Sequence, residues 1–337
     1  MRVAIVGCGW AGRQHALAWA QVPDAQLVSV CDVVGERAEA LAADLSAATR
    51  RVTACSRYEE VFSLGEVDAV SICLPHHLHA PATVAAARAG KHVLCEKPIA
   101  TSLEEADMMI GAARDAGVTL MVAENVRFDP TYMRVRELVV DGKIGEPFLL
   151  RLFRDHEMHD YLRERPWFLS AAQSGGGIWL SGGIHDVETL RMLAGDVESV
   201  VGLKARKALP EMESEDTAAA ILVFRSGALG VVTESFSTIT APSHRLPLVV
   251  NGPRGTIQAH SRSGVVELYE GRGSKPSRMI VETKNTFLEE IKHFVDCVKT
   301  GREPLTSGES QKEALRVVLA GFRSMQENGS RVRLRDE

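Results

Sequence analysis

Along the first third of the chain, apolar positions come in short continuous runs separated by longer stretches with helical periodicity. The runs are Arg2 to Val6, Leu27 to Cys31, Val52 to Cys55, Val67 to Cys73, Lys91 to Cys95 and Thr119 to Ala123. Such runs, bounded by turn residues, read as strands buried on both faces. Between them lie an alanine-rich stretch after Gly12 and predicted helices at Tyr58–Ser63, Pro81–Ala89 and 102–116. Alternating strands and helices predict an α/β domain with a doubly wound parallel sheet. Beyond residue 145 the pattern changes to longer strands at Phe148–Phe153, Val197–Leu203, Ala218–Phe224, Ala228–Ser235 and Arg245–Asn251. Turns at Arg225-Ser226-Gly227 and Gly252-Pro253-Arg254-Gly255 fit an antiparallel meander, so this part reads as α+β. Helices near Asn285–Lys299 and Ser307–Gln326 close the chain. The expected division is residues 1–122 and 123–337, with no Pro/Ser-rich linker and a cleft between two associated domains.

Composition narrows the function classes. The chain has 337 residues, enough for two cores, and its net charge of −5 gives no electrostatic footprint for nucleic acid. No apolar run approaches the roughly 18 residues of a membrane span, and Met1 leads directly into a strand rather than an export signal. A cytoplasmic protein is expected. Its 6 cysteines contain no CxxC pair and read as buried reduced thiols.

The first strand runs into Gly7-Cys8-Gly9-Trp10-Ala11-Gly12, a GxGxxG string between strand and helix. Gly7 permits the turn, Gly9 lets backbone approach a pyrophosphate and Gly12 lets helix and strand pack closely, with the helix N-terminus facing the phosphates. The second strand ends in Asp32, about 20 residues on, where an acid can accept from a ribose 2′-OH and repel a 2′-phosphate. The expected cofactor is NAD rather than NADP. Arg37, five residues later, is the one feature that could face a phosphate.

Ligands in such sheets bind beyond the carboxyl ends of the strands. Leu74-Pro75-His76-His77 and Glu96-Lys97-Pro98 occupy two of those ends. Lys97 puts an amine where a buried strand stops. Hydride leaves a carbinol carbon only as its hydroxyl proton is lost, and an ammonium can stabilise the alkoxide or relay that proton.

The chain resembles the glucose-fructose oxidoreductase, inositol dehydrogenase and rhizopine-catabolism (Gfo/Idh/MocA) superfamily. The resemblance rests on VAIVGCGWAG, LPHHLHAPATVAAARAGKHVLCEKPIA, ENVRFDPTYMRVRELVVDGKIGEP and SGGGIWLSGGIHDVETLRML, in that order. It implies a Rossmann domain, then a domain with an open, mostly antiparallel sheet through which homodimers or homotetramers form. The implied activity is NAD(P)-dependent oxidation of a sugar or cyclitol hydroxyl, or the reverse. Lys97 would touch the reacting hydroxyl, with Glu96 close to the nicotinamide ribose. Trp10, Ala11, Leu74, Pro75, His79 and Asn125 would line the cofactor, and Arg127 would approach cofactor or substrate.

The family's second catalytic element is D-x-x-x-H after a glycine triplet. Here Gly175-Gly176-Gly177 is followed by Ser181 and His185. His185 matches and is the expected proton acceptor, since histidine's unperturbed pKa lies near operating pH. Ser181 stands where the acid would be; it can hydrogen-bond but carries no charge, and Asp186 and Glu188 lie off that helical face. Arg154 and His156 border the substrate or form a solvated loop, and Trp167 covers a sugar face or packs in the core. His76, His77 and His79 lack flanking acidic or thiol ligands, and His156-Glu157-Met158-His159 lacks HExxH spacing, so no metal is expected. Besides a dehydrogenase, the pattern admits a redox-cycling enzyme that cleaves or eliminates a glycosidic substituent, and a non-catalytic sugar or NAD sensor.

Overall fold

The computed structural model describes residues 1–46, 52–238 and 247–334. Six strands, β1 (Arg2–Val6), β2 (Gln26–Cys31), β3 (Thr53–Cys55), β4 (Ala69–Ile72), β5 (His92–Glu96) and β6 (Leu120–Ala123), form one parallel sheet ordered β3-β2-β1-β4-β5-β6. Val3, Ile5, Val70, Ile72, Val93 and Leu94 are completely buried, as strands covered on both faces require. The strand order reverses between β1 and β4, the place where doubly wound sheets bind their ligands.

The connecting helices are α1 (Trp10–Trp19), α2 (Gly35–Ser46), α3 (Tyr58–Ser63), α4 (His79–Arg88) and α5 (Leu103–Ala116). Their ends carry readable signals. Ser102 caps α5 by accepting the Glu105 N–H at 3.2 Å, and Gly117, at φ +66°, closes it.

In the second unit, α6 (Pro130–Val140) starts at Asp129, whose carboxylate accepts the Thr131 N–H at 2.8 Å. Then follow β7 (Leu149–Asp155), α7 (His159–Arg163), α8 (Ala171–Ser174), α9 (Ile178–Ser181) and α10 (Gly183–Ala194). The rest of its sheet is β8 (Val197–Ala205), β9 (Thr217–Phe224), β10 (Leu229–Ser235), β11 (Leu248–Gly252), β12 (Gly255–His260), β13 (Val265–Glu270) and β14 (Ser277–Ile280). With β15 (Val332–Arg333), nine strands among the described residues are ordered β14-β13-β12-β11-β7-β10-β9-β8-β15, and of these only β7 with β10 run parallel. Burial alternates along these strands, so one face carries the core. Arg245 and Leu246, the start of the predicted strand there, lie outside the described residues.

The division of the chain differs from two consecutive segments. One unit comprises Met1–Asn125 with Asn285–Lys312, the other Val126–Lys284 with the residues from Glu313 on. The helix α11 (Thr286–Thr300) belongs to the first unit, where Phe294 packs edge-on against Trp19 of α1 at 6.1 Å. Thr306 and Val122 exchange backbone and side-chain hydrogen bonds at 2.9 and 2.7 Å. The last helix, α12 (Gly308–Gln326), contributes Val318, whose carbonyl accepts the indole N–H of buried Trp179 at 2.9 Å.

Candidate active site

The three glycines after β1 have different reasons to be glycine. A Cβ on Gly7, which has φ +95°, would sit 2.2 Å from the Cys73 carbonyl oxygen, and one on Gly12 would sit 1.8 Å from that of Gly7. Both are demanded by packing at the switch point. A Cβ on Gly9 would meet nothing within 4 Å, so it answers to no packing in the chain and leaves its backbone open to a ligand. The α1 N-terminus that follows has no side-chain cap, leaving N–H donors for phosphate oxygens.

Asp32 Oδ2 accepts the Cys8 N–H at 2.8 Å and Oδ1 accepts the Val34 N–H at 2.9 Å. A carboxylate has about four lone-pair sites, so capacity remains for a ribose hydroxyl. The residues present therefore fit a dinucleotide. Trp10 opens α1 half-exposed, edge-on to Phe287 at 5.9 Å, and Ala11 follows it. Arg37 is exposed on α2. Burial and the Asp32 charge push the Cys8 thiol up to about 12, and all six cysteines are unpaired.

Lys97 follows the last residue of β5, at the carboxyl end of the sheet, and is half-buried. Glu96 Oε2 accepts the Lys97 backbone N–H at 3.1 Å, while Oε1 faces Nε2 of His15 at 3.2 Å. Burial pushes the Glu96 carboxyl up, but the hydrogen bond and charge of His15, with Lys97 and His79, outweigh it and hold Glu96 below its usual range. Glu96 is thus turned inward, toward His15.

His79 is completely buried, its ring nitrogens 2.7 Å from the Pro98 carbonyl and 2.8 Å from that of Leu74. It ties the Leu74-Pro75 and Lys97-Pro98 turns together, with its imidazole buried between them. Burial lowers its pKa, against the two carbonyls. Among the described residues no group of three or more His, Cys, Asp or Glu side chains is placed to hold a metal ion.

In the second unit the glycine-rich stretch serves packing. A Cβ on Gly177 would fall 1.9 Å from the Glu215 carbonyl oxygen, and one on Gly183 would fall 2.8 Å from the Trp179 ring. Glu215 Oε1 accepts the N–H groups of Gly177 and Trp179 at 3.0 and 3.1 Å. Ser181 ends α9 and His185 lies in α10, and the helical spacing between them is interrupted at Gly182, whose carbonyl accepts the His185 N–H at 3.0 Å. The Ser181 hydroxyl donates to the Gly177 carbonyl at 2.8 Å, so toward a further group it can only accept.

Beside His185, Asp186 is completely buried and takes Arg154 Nε on Oδ1 at 2.8 Å. Glu234 of β10, also buried, lies 3.9 Å from the same guanidinium. Burial pushes its carboxyl well up, and the Asp186 charge adds to this. Arg127 pairs with Glu188 at 3.4 Å, and Glu188 with Arg191 at 3.1 Å. The two arginines read as substrate contacts are therefore first anchored on acids of α10. His156 is pushed down to about 4 by burial and by Arg154 and Arg262, which makes it a neutral ring at neutral pH. Trp167 stacks on Phe168 at 3.8 Å and stays half-exposed. Asn125, half-buried, closes the first segment of the first unit.

Residues 1–124 match the model of the oxidoreductase family with an NAD-binding Rossmann fold (GFO_IDH_MocA), and residues 132–258 match the GFO/IDH/MocA C-terminal domain. The chain belongs to the Gfo/Idh/MocA family. Its relatives in that family include myo-inositol 2-dehydrogenase of Thermotoga maritima, 32% identical with 98% of each chain covered. Inositol 2-dehydrogenase of Rhizobium meliloti is 30% identical with 97% of each covered. Among solved structures, aldose-aldose oxidoreductase from Caulobacter crescentus superposes with a TM-score of 0.87 at 27% identity, covering 99% of each chain. This Gfo/Idh/MocA protein is an NAD-binding oxidoreductase. Sequence motifs single out Lys97, Ser181 and His185; His15, Glu234 and Glu290 belong to none of them. His15 alone had a signal: it interrupts the otherwise small or apolar buried face of α1, formed with Gly12, Ala16, Ala18 and Trp19.

Proposed function

We propose that this chain is an NAD-dependent dehydrogenase that moves a hydride between a hydroxyl-bearing carbon of a sugar, glycoside or cyclitol, or the corresponding ketone, and the nicotinamide, with Lys97 and His185 in proton transfer. The observation that carries the reading is the placement of Lys97, directly beyond β5 at the carboxyl end of a Rossmann sheet, with its backbone fixed by a buried carboxylate. The inositol dehydrogenases among its relatives support a polyol substrate.

When bound, NAD supplies the hydride acceptor. The Lys97 ammonium stabilises the negative charge that develops on the substrate oxygen as its proton leaves. His185 takes that proton, and Ser181, its own proton directed to Gly177, accepts from a neighbouring substrate hydroxyl. Asp32 favours the unphosphorylated ribose of NAD.

A screen of free sugars, cyclitols and glycosides, with NAD and NADP in parallel and NADH formation as readout, tests this. At least one polyol should give stoichiometric NADH, with NAD preferred. Glycoside cleavage without accumulating NADH, or ligand binding without any turnover, would contradict it.

A further inference from the structure

Behind Lys97, inside the first unit, three ionisable side chains from three elements meet out of reach of solvent. His15 comes from α1, Glu96 from β5 and Glu290 from α11; His15 and Glu290 are 0% exposed and Glu96 is 9% exposed. The hydrogen bonds converge on Glu96. Trp19 Nε1–H donates to Ser71 Oγ at 2.8 Å, and that hydroxyl lies 3.2 Å from His15 Nδ1. On its other side His15 Nε2–H points at Glu96 Oε1, 3.2 Å away. Glu96 Oε2 closes the chain by accepting the Lys97 backbone N–H.

Glu290 stands beside this chain and outside it. Its Oε1 lies 4.0 Å from His15 Nε2, beyond hydrogen-bond distance, and neither of its oxygens has a hydrogen-bond partner. The groups that face it are His15 from α1, Glu96 from β5, Glu124 at the end of β6 and the Cys73 thiol at the end of β4. Where carboxylates share a dry site, the one with the least compensation is pushed strongly toward its neutral form. Glu96 has His15 and the Lys97 N–H to hold its charge; Glu290 has neither. Burial, with the charges of Glu96 and Glu124, pushes the Glu290 carboxyl well above its usual range.

We propose that Glu290 is a positioning residue of the active site, a buried neutral acid that leaves Glu96 as the one anion His15 faces and so fixes the turn that presents Lys97. Ionised, it would place a second negative charge within 4.0 Å of Nε2 and draw His15 away from Glu96. This role rests on the reading of Lys97 given above.

The test uses the full chain with Glu290→Gln, an isosteric neutral side chain, and Glu290→Ala. Folding must keep a proton on Glu290 that the unfolded chain releases above its ordinary carboxylate pKa, so wild-type stability falls as pH rises from there. Glu290→Gln removes that dependence. Its melting temperature relative to wild type should therefore climb by about 2 °C or more between about pH 5 and pH 9. In turnover, Glu290→Ala should lose about tenfold in kcat with NAD affinity retained, and Glu290→Gln should recover most of it. A melting difference that is flat with pH, a Gln variant as slow as the Ala variant, or an Ala variant as fast as wild type would each overturn the proposal. If Ala fails to fold, the Gln variant decides by both readouts. A fully active Lys97→Ala enzyme would instead remove the reading on which the role rests, while the melting comparison would still report the buried proton.

Discussion

Arg154 Nε donates to Asp186 Oδ1 at 2.8 Å, joining β7 to α10 through a carboxylate with no solvent exposure. Glu234 lies 3.9 Å from the same guanidinium, so one cation serves two buried acids. Removing it leaves uncompensated buried charge. Arg154→Ala should lose about 3–5 kcal/mol of unfolding free energy, read from denaturant curves. A loss below about 1 kcal/mol would mean that the acids find other compensation.

That pair also shows what the sequence does and does not reveal. β1, β2, β4, β5 and β6 are legible because strands covered on both faces are largely apolar, as in Val3 to Val6, whereas the edge strand β3 is mostly exposed. The edge strand β14, mostly exposed, carries no such run, and β12 and β13 are short alternations beside Gly255, Gly264 and Gly271. The amphipathic pattern of α11 announces a helix but not which sheet it covers, and so the division at residue 122 missed its return to the first unit. Lys97 and His185 stand out through motifs. Asp186, Glu234 and Glu290 do not, since a buried acid and a surface acid look alike until the fold brings their neighbours together.

His156 gives a pH signature in stability. Its folded pKa, pushed down to about 4, lies below the value for an unfolded histidine. Above about pH 6.5 both states are neutral and it contributes nothing; as pH falls below that, the unfolded chain binds a proton that the folded one refuses. Stability should therefore drop between about pH 6.5 and pH 4, and His156→Gln should flatten that part of the melting-temperature profile. An unchanged slope in the variant would contradict the buried neutral ring.

Asp32 holds the glycine loop through Cys8 N–H at 2.8 Å and is the acid read as facing the adenosine ribose. Asp32→Ala should weaken NAD by about tenfold or more while NADP changes less, as fluorescence titration of the two cofactors would show. Equal losses for both would assign Asp32 to loop structure alone.

The central claim is that Lys97 handles the substrate oxygen of an NAD-dependent oxidation. The most direct measurement is steady-state NADH formation by Lys97→Ala beside wild type on the best polyol substrate, with NAD binding titrated on the same samples. The account predicts a loss of about 100-fold or more in kcat with NAD affinity little changed. Wild-type turnover in that variant would contradict it.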